Sequence, residues 1–247
     1  MTGETSRDAL SKRPDRIAGM FDAIAPRYDL LNRVLSAGID RRWRRRAIAS
    51  LHLTGSDVLL DVCTGTADVA LEARAASRQG ARGAGRVVGV DFAGAMLRHG
   101  LEKVRRAGES DRVRLVRGDA ARLPVASASV DAATVAFGIR NVQQPELACA
   151  ELARALRPAG RLAILEFGVP RIPGISRLYL WYFKHLLPLV GRTVSGHTAA
   201  YSYLPASVNA FPPPAEFMTI LQQAGFTEVR AVPLTLGIVY LYTARRA

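Results

Sequence analysis

The chain has 247 residues, 49% of them hydrophobic, and a formal net charge of +13; that size suits one α/β domain with a substantial core. Its two cysteines, Cys63 and Cys149, offer neither a metal-ligand spacing nor a disulfide framework, which fits a reducing cytoplasm. The excess positive charge bears on partners rather than fold, nucleic acid and anionic membrane being the two usual candidates.

Met1 to Asp15 is polar, lacks a charged-then-apolar signal segment, and is expected to be a disordered tail before a single domain, 16–247. Residues 16–52 read as helices. Ile17, Met20, Phe21 and Ile24 form one stripe, and Tyr28, Leu31, Val34 and Leu35 form another. Pro26 separates the two stripes and Gly38 ends the second. The densest basic run, Asp40-Arg-Arg-Trp-Arg-Arg-Arg46, lies where Ile39, Trp43, Ala47 and Leu51 recur at helical spacing. Its plain reading is a solvated face over an inward Trp43; its sharper reading is a membrane or nucleic-acid contact.

From Asp57 strand and helix alternate. Strand 58–62, helix 67–77, a Gly-Arg-rich loop at 79–85, strand 86–91, helix 94–107 and strand 113–117 come first. A turn through Leu123-Pro124, strand 130–137, helix 145–157, a turn at Pro158-Ala-Gly160 and strand 161–167 follow. These are five units of a doubly wound, Rossmann-like sheet. Proline interrupts the stretch 169–213, which reads as an inserted helical cap. Within it Ile175 to Val190 is apolar and aromatic but is broken by Arg177, Lys184, His185 and Pro188, too interrupted to span a membrane. Helix 215–224 and strands near 228–234 and 237–244 close the sheet with an antiparallel edge.

Three aspartates end successive apolar runs: Asp61 in Val58-Leu-Leu-Asp-Val-Cys-Thr-Gly-Thr-Ala-Asp68, Asp91 in Val87-Val-Gly-Val-Asp91, and Asp119 in Val113-Arg-Leu-Val-Arg-Gly-Asp119. Ligands of open parallel sheets sit outside the carboxyl ends of the strands, so these acids converge on one crevice. They suit ribose hydroxyls, a base amino group and an ammonium, all carried by S-adenosylmethionine. A dinucleotide needs G-x-G-x-x-G to approach its pyrophosphate, whereas here only Gly65 remains in the turn, with Cys63 and Ala67 at the other places. The competing reading is three turn or capping aspartates.

The chain resembles the ubiquinone/menaquinone biosynthesis C-methyltransferase family, of the demethylmenaquinone methyltransferase type, from about Met20 to its C-terminus. The matching stretches include Phe21-Asp-Ala-Ile-Ala-Pro-Arg-Tyr-Asp-Leu-Leu-Asn32, Ser36-Ala-Gly-Ile-Asp-Arg-Arg-Trp43 and Phe137-Gly-Ile-Arg-Asn-Val142. Leu165-Glu-Phe167, Tyr203-Leu-Pro-Ala-Ser207 and Ala224-Gly-Phe226 extend the match. The resemblance implies a class I methyltransferase fold with a seven-stranded sheet and antiparallel last strand. It also implies methyl transfer from S-adenosylmethionine to a ring carbon of a prenylated quinol. It carries over Thr66, Asp91, Asp119 and Ala120 as cofactor contacts, beside Asp61 and Gly65 from the strand reading. Ala136 departs from the serine common in the family and leaves only backbone for a contact there. Ala67, where many members have Gly, places the loop nearer menaquinone-only members, so demethylmenaquinol is the expected substrate and a prenylated benzoquinol the alternative.

Ring methylation requires an electron-rich carbon, made by deprotonating a neighbouring hydroxyl of pKa about 10. A fixed cation beside the developing phenolate assists this. Arg140 is the candidate, Asn141 the group for the other quinol oxygen, and Tyr28 a substrate-positioning or proton-relaying residue. The alternatives are a structural salt bridge for Arg140, a helix cap for Asn141 and plain packing for Tyr28. Neither His185 nor His197 in the cap is a favoured catalyst, and no metal is expected. A nucleic-acid methyltransferase is disfavoured because Phe137-Gly-Ile-Arg-Asn141 replaces the expected turn and the insertion is greasy. A non-catalytic scaffold is disfavoured by the intact set of site residues. The reading places the protein in the cytoplasm, peripheral at the inner face of the membrane, and leaves a homodimer open.

Overall fold

The computed structural model describes residues 12–78, 83–170, 172, 174, 177 and 198–247. The cap expected at 169–213 falls largely outside them; of it, Thr198–Asn209 is a helix.

Among the described residues three helices precede the sheet: α1 (Pro14–Ile24), α2 (Tyr28–Leu35) and α3 (Asp40–Ser50), with a 3-10 turn at Ala25–Arg27. Pro14 occupies the first turn of α1, where a missing N–H costs nothing. Helix therefore begins inside the stretch expected to be a tail. The alternating part follows as β1 (Val58–Val62), α4 (Asp68–Arg78), β2 (Arg86–Asp91), α5 (Gly94–Arg106) and β3 (Val113–Arg117). It continues with β4 (Val130–Ala136), a 3-10 turn (Ile139–Asn141), α6 (Pro145–Ala155) and β5 (Leu156–Phe167). The chain ends with α7 (Thr198–Asn209), α8 (Pro214–Gln223), β6 (Phe226–Leu234) and β7 (Val239–Arg246). The turn expected at Pro158-Ala-Gly160 is a bulge within β5, where the register against β4 shifts between Val130 and Ala132.

The strands form one sheet in the order β3-β2-β1-β4-β5-β7-β6. β7 runs antiparallel to both neighbours and inserts between β5 and β6, so the last strand is internal and β6 is the edge. The direction of winding reverses between β1 and β4, which opens a crevice at their carboxyl ends. Alternate residues serve opposite faces. Leu60, Val62, Ala133, Val135 and Ile164 pack with Cys149 and Leu152 of α6 and Phe217 and Leu221 of α8. Leu59, Ala132, Ala163 and Leu165 pack with Trp43, Ala47 and Ile48 of α3 and with α4. Each fully buried Val, Leu, Ile or Phe among them contributes roughly 1.5–3 kcal/mol, each Ala less. Both faces are covered, so the purely apolar strand runs are required.

Candidate active site

All three predicted acids lie at one edge of the sheet. Asp61 is 1% exposed; its Oδ2 accepts the Thr64 hydroxyl at 2.6 Å, and Oδ1 has no partner among the described residues. Burial, with Asp91 nearby, pushes its pKa up to about 7. Asp91 ends β2 and accepts one backbone N–H on each oxygen, from Ala93 on Oδ1 at 2.9 Å and from Gly65 on Oδ2 at 2.8 Å. Burial raises its pKa and these amides oppose the rise. Each oxygen keeps a lone pair for a ligand. Gly65 has φ +55°, a left-handed turn that aims its N–H at Asp91. Asp119 is exposed and accepts the Ala121 N–H at 2.9 Å, while Ala120 is buried. With Phe92, Arg117, Gly118, Asp15 and Ala18, Asp119 lines a cavity of about 300 Å³. Helix α1 thus forms one wall of it.

The N-terminal helices close over the β1 turn. A Cβ at Gly65 would sit 3.9 Å from Tyr28 Cε1, which puts the Tyr28 ring beside the turn. The phenol interacts with Asn32, and burial raises its pKa against the pull of Arg140 and Arg44, so Tyr28 stays protonated at neutral pH. Asp29 Oδ1 accepts the Thr66 hydroxyl at 2.5 Å and Oδ2 accepts Lys103 Nζ at 2.6 Å. Lys103 also bonds Asp68, and Arg44 Nη2 pairs with Asp68 at 3.1 Å and Asp40 at 2.8 Å. This alternating chain of charges ties α2, α3, α4 and α5 together around the loop. The Thr66 hydroxyl is part of it, donating to Asp29 and accepting from Lys103.

Across the crevice, β4 and β5 present the second half. Gly138 passes so close to Cys63 that a Cβ would lie 2.3 Å from its Cβ; Cys63 (φ +57°) and Phe137 (φ +60°) are both left-handed to permit the approach. The turn then delivers Arg140 and Asn141, both 6% exposed. Arg140 Nη1 donates to Glu166 Oε1 at 2.7 Å and to the Phe137 carbonyl, and its backbone N–H donates to Glu166 Oε2 at 3.2 Å. Its Cζ lies 5.3 Å from the Phe167 ring centroid, and its Nε is unpaired among the described residues. The structural salt bridge is therefore present, and it orients the guanidinium instead of exhausting it. Asn141 Nδ2 reaches the Phe137 carbonyl at 3.4 Å and Oδ1 is buried without a partner among the described residues, while α6 has no side-chain cap, so Asn141 is not one.

Glu166 was missed as a site residue although it, too, nearly ends an apolar strand, the rule that singled out the aspartates. Asp29 and Lys103 had no local signal, because they meet only in space. Cys63 and Cys149 are poor nucleophiles: burial, with carboxylates around it, pushes the Cys63 thiol well up, and burial pushes Cys149 to about 12. His185 and His197 lie outside the described residues. Among the described residues no group of three His, Cys, Asp or Glu could hold a metal.

Residues 9–246 match the ubiE/COQ5 methyltransferase family. The chain is 48% identical over 228 residues to the ubiquinone/menaquinone biosynthesis C-methyltransferase of Syntrophotalea carbinolica, covering 92% of this chain and 93% of that one. It is 42% identical to the demethylmenaquinone methyltransferase of Deinococcus radiodurans, covering 98% of each. In fold it resembles the crystal structure of a SAM-dependent methyltransferase from Aquifex aeolicus, with TM-score 0.58, 18% identity, and 83% and 89% of the two chains covered.

Proposed function

The chain belongs to the ubiE/COQ5 methyltransferase family, and from that we propose that it methylates the ring of demethylmenaquinol to give menaquinol, with S-adenosylmethionine as donor. The observation that carries the reading is the two-sided crevice: acids with free acceptor capacity on β1 and β2, and, in the turn after β4, an oriented Arg140 whose Nε is unpaired among the described residues, beside Asn141. Bound S-adenosylmethionine supplies an electrophilic methyl on a sulfonium. Asp91 would hold its ribose hydroxyls, the free Oδ1 of Asp61 its ammonium, and the cavity at Phe92 and Asp119, next to Ala120 in the chain, its adenine. Arg140 stabilises the quinol oxygen as its proton passes to solvent; the ring carbon takes the methyl as the S–CH3 bond breaks, S-adenosylhomocysteine leaves, and the hydrogen on that carbon is lost as a proton to restore the aromatic ring. The rings of Phe137 and Phe167, 4.6 Å apart, form an apolar wall beside that charge and keep water from it. Tyr28, held neutral, positions the ring or passes a proton but does not accept one as a base. Incubating the protein with labelled S-adenosylmethionine and a panel of demethylated naphthoquinols and benzoquinols tests this. Label entering only benzoquinols would move the substrate, and label entering neither would end the reading.

The raised pKa of Asp61 adds a pH test. Unfolded, it titrates near 3.9; folded, near 7. A raised pKa contributes stability that is fully present below about pH 4 and is lost as pH rises to about 7. An ammonium at Oδ1 favours the carboxylate, so binding should release a proton below pH 7. S-adenosylhomocysteine affinity should therefore rise several-fold from pH 6 to 8 in calorimetric titration, and Asp61→Asn should flatten the slope. A slope unchanged in that variant would place the ammonium elsewhere.

A prenylated substrate resides in the bilayer, so the enzyme meets it at a membrane surface. No described helix is long and apolar enough to cross one. Arg41, Arg42, Arg45 and Arg46 are exposed on α3, and Leu30 (53%) and Val34 (48%) are exposed on α2. Arg44, expected to share that basic face, does not: it turns inward to Asp40 and Asp68. Aromatic residues 179, 181 and 183 lie outside the described residues. Binding to anionic vesicles at low salt should fall about fivefold for each of Arg42→Ser and Arg46→Ser, near 1 kcal/mol per basic residue. Co-sedimentation that is indifferent to anionic lipid or to salt would refute the contact.

A further inference from the structure

Helix α7 packs against both α1 and the turn bearing Arg140 and Asn141. From it Tyr203 projects inward, 7% exposed, and its hydroxyl has no partner among the described residues. The phenol lies within the fields of Arg140, Glu166 and Arg16 and is kept protonated chiefly by burial. Among the described residues, three buried polar atoms of α7 and the turn it packs against have no partner: Arg140 Nε, Asn141 Oδ1 and Tyr203 Oη. Buried polar atoms in folded proteins are nearly always paired, so three unpaired together mark the place of a polar ligand. Their chemistry is specific. Two are donors beside a fixed positive charge, and one is an acceptor. A quinol presents the complement, with one oxygen that becomes a phenolate and accepts, and a second hydroxyl that donates.

We propose that Tyr203 is a further quinol-binding residue, its hydroxyl donating with Arg140 Nε to the oxygen next to the carbon that is methylated, while Asn141 Oδ1 accepts from the other hydroxyl. The inference rests on the reading of the substrate as a prenylated quinol. Tyr203 loses no proton in this role; it supplies a second hydrogen bond that strengthens as charge develops on the oxygen.

Tyr203→Phe tests it. With S-adenosylmethionine saturating and demethylmenaquinol varied, kcat/KM should fall by about 10–100-fold. S-adenosylhomocysteine affinity should stay within twofold. The melting temperature without ligand should not drop, because the hydroxyl removed has no partner to lose among the described residues. A kcat/KM within twofold of the unaltered protein overturns the proposal. A parallel loss of melting temperature and cofactor affinity overturns it too, since the hydroxyl would then be structural. If the unaltered protein methylates no quinol, the substrate reading fails first and takes this role with it, an outcome distinct from the other two.

Discussion

Replacing Arg140 by Lys is expected to lower turnover about 10–100-fold while the fold and S-adenosylhomocysteine affinity persist. A lysine keeps a positive charge against Glu166, which is fully buried and accepts from the Arg140 side chain, the Arg140 backbone and the Phe167 N–H. It cannot reproduce the planar fork that bonds Glu166 and the Phe137 carbonyl through Nη1 and leaves Nε unpaired among the described residues. Arg140→Ala should cost about 10²–10³ in turnover. It should also cost about 3–5 kcal/mol of stability, because it strands the Glu166 carboxylate in the interior. Loss of activity in the alanine variant alone would therefore mix two effects, and the lysine variant separates them. Single-turnover rates and thermal melts measured together decide. Wild-type turnover in the lysine variant would reduce Arg140 to a structural partner of Glu166.

Asp91→Ala should weaken S-adenosylhomocysteine binding by roughly 2–4 kcal/mol, about 30- to 900-fold, the asymmetric cost of removing one partner of charge-assisted hydrogen bonds. Two losses combine. The ribose hydroxyls lose their acceptor, and the Gly65 and Ala93 amides that now face the carboxylate lose theirs, which frees the left-handed turn at Gly65. Asp91→Asn retains an acceptor for one amide and should fall between alanine and the parent. Calorimetric titration reads the affinities directly, and unchanged affinity in the alanine variant would put the ribose site away from β2.

Much of this architecture was legible in the chain before folding. Short Val- and Leu-rich runs bounded by turns specified strands buried on both faces, and their alternation with helical stripes specified a parallel, doubly wound sheet with its crevice at the carboxyl ends. Asp61, Asp91 and Asp119 were identifiable because each closes such a run, and sheet topology alone carries them to a common edge. What no local pattern determines is which charges meet across distance. Arg44 and Arg45 are neighbours in one basic run, yet Arg44 is half-buried between Asp40 and Asp68 while Arg45 lies on the surface against Glu72. The pairing of Arg140 with Glu166, the diversion of the Thr66 hydroxyl to Asp29 and the unpaired Tyr203 hydroxyl likewise come from elements far apart in sequence. Apolar periodicity records burial, which depends on the local face of an element. The partner of a buried polar group depends on where distant elements dock, and only the packed tertiary structure decides that.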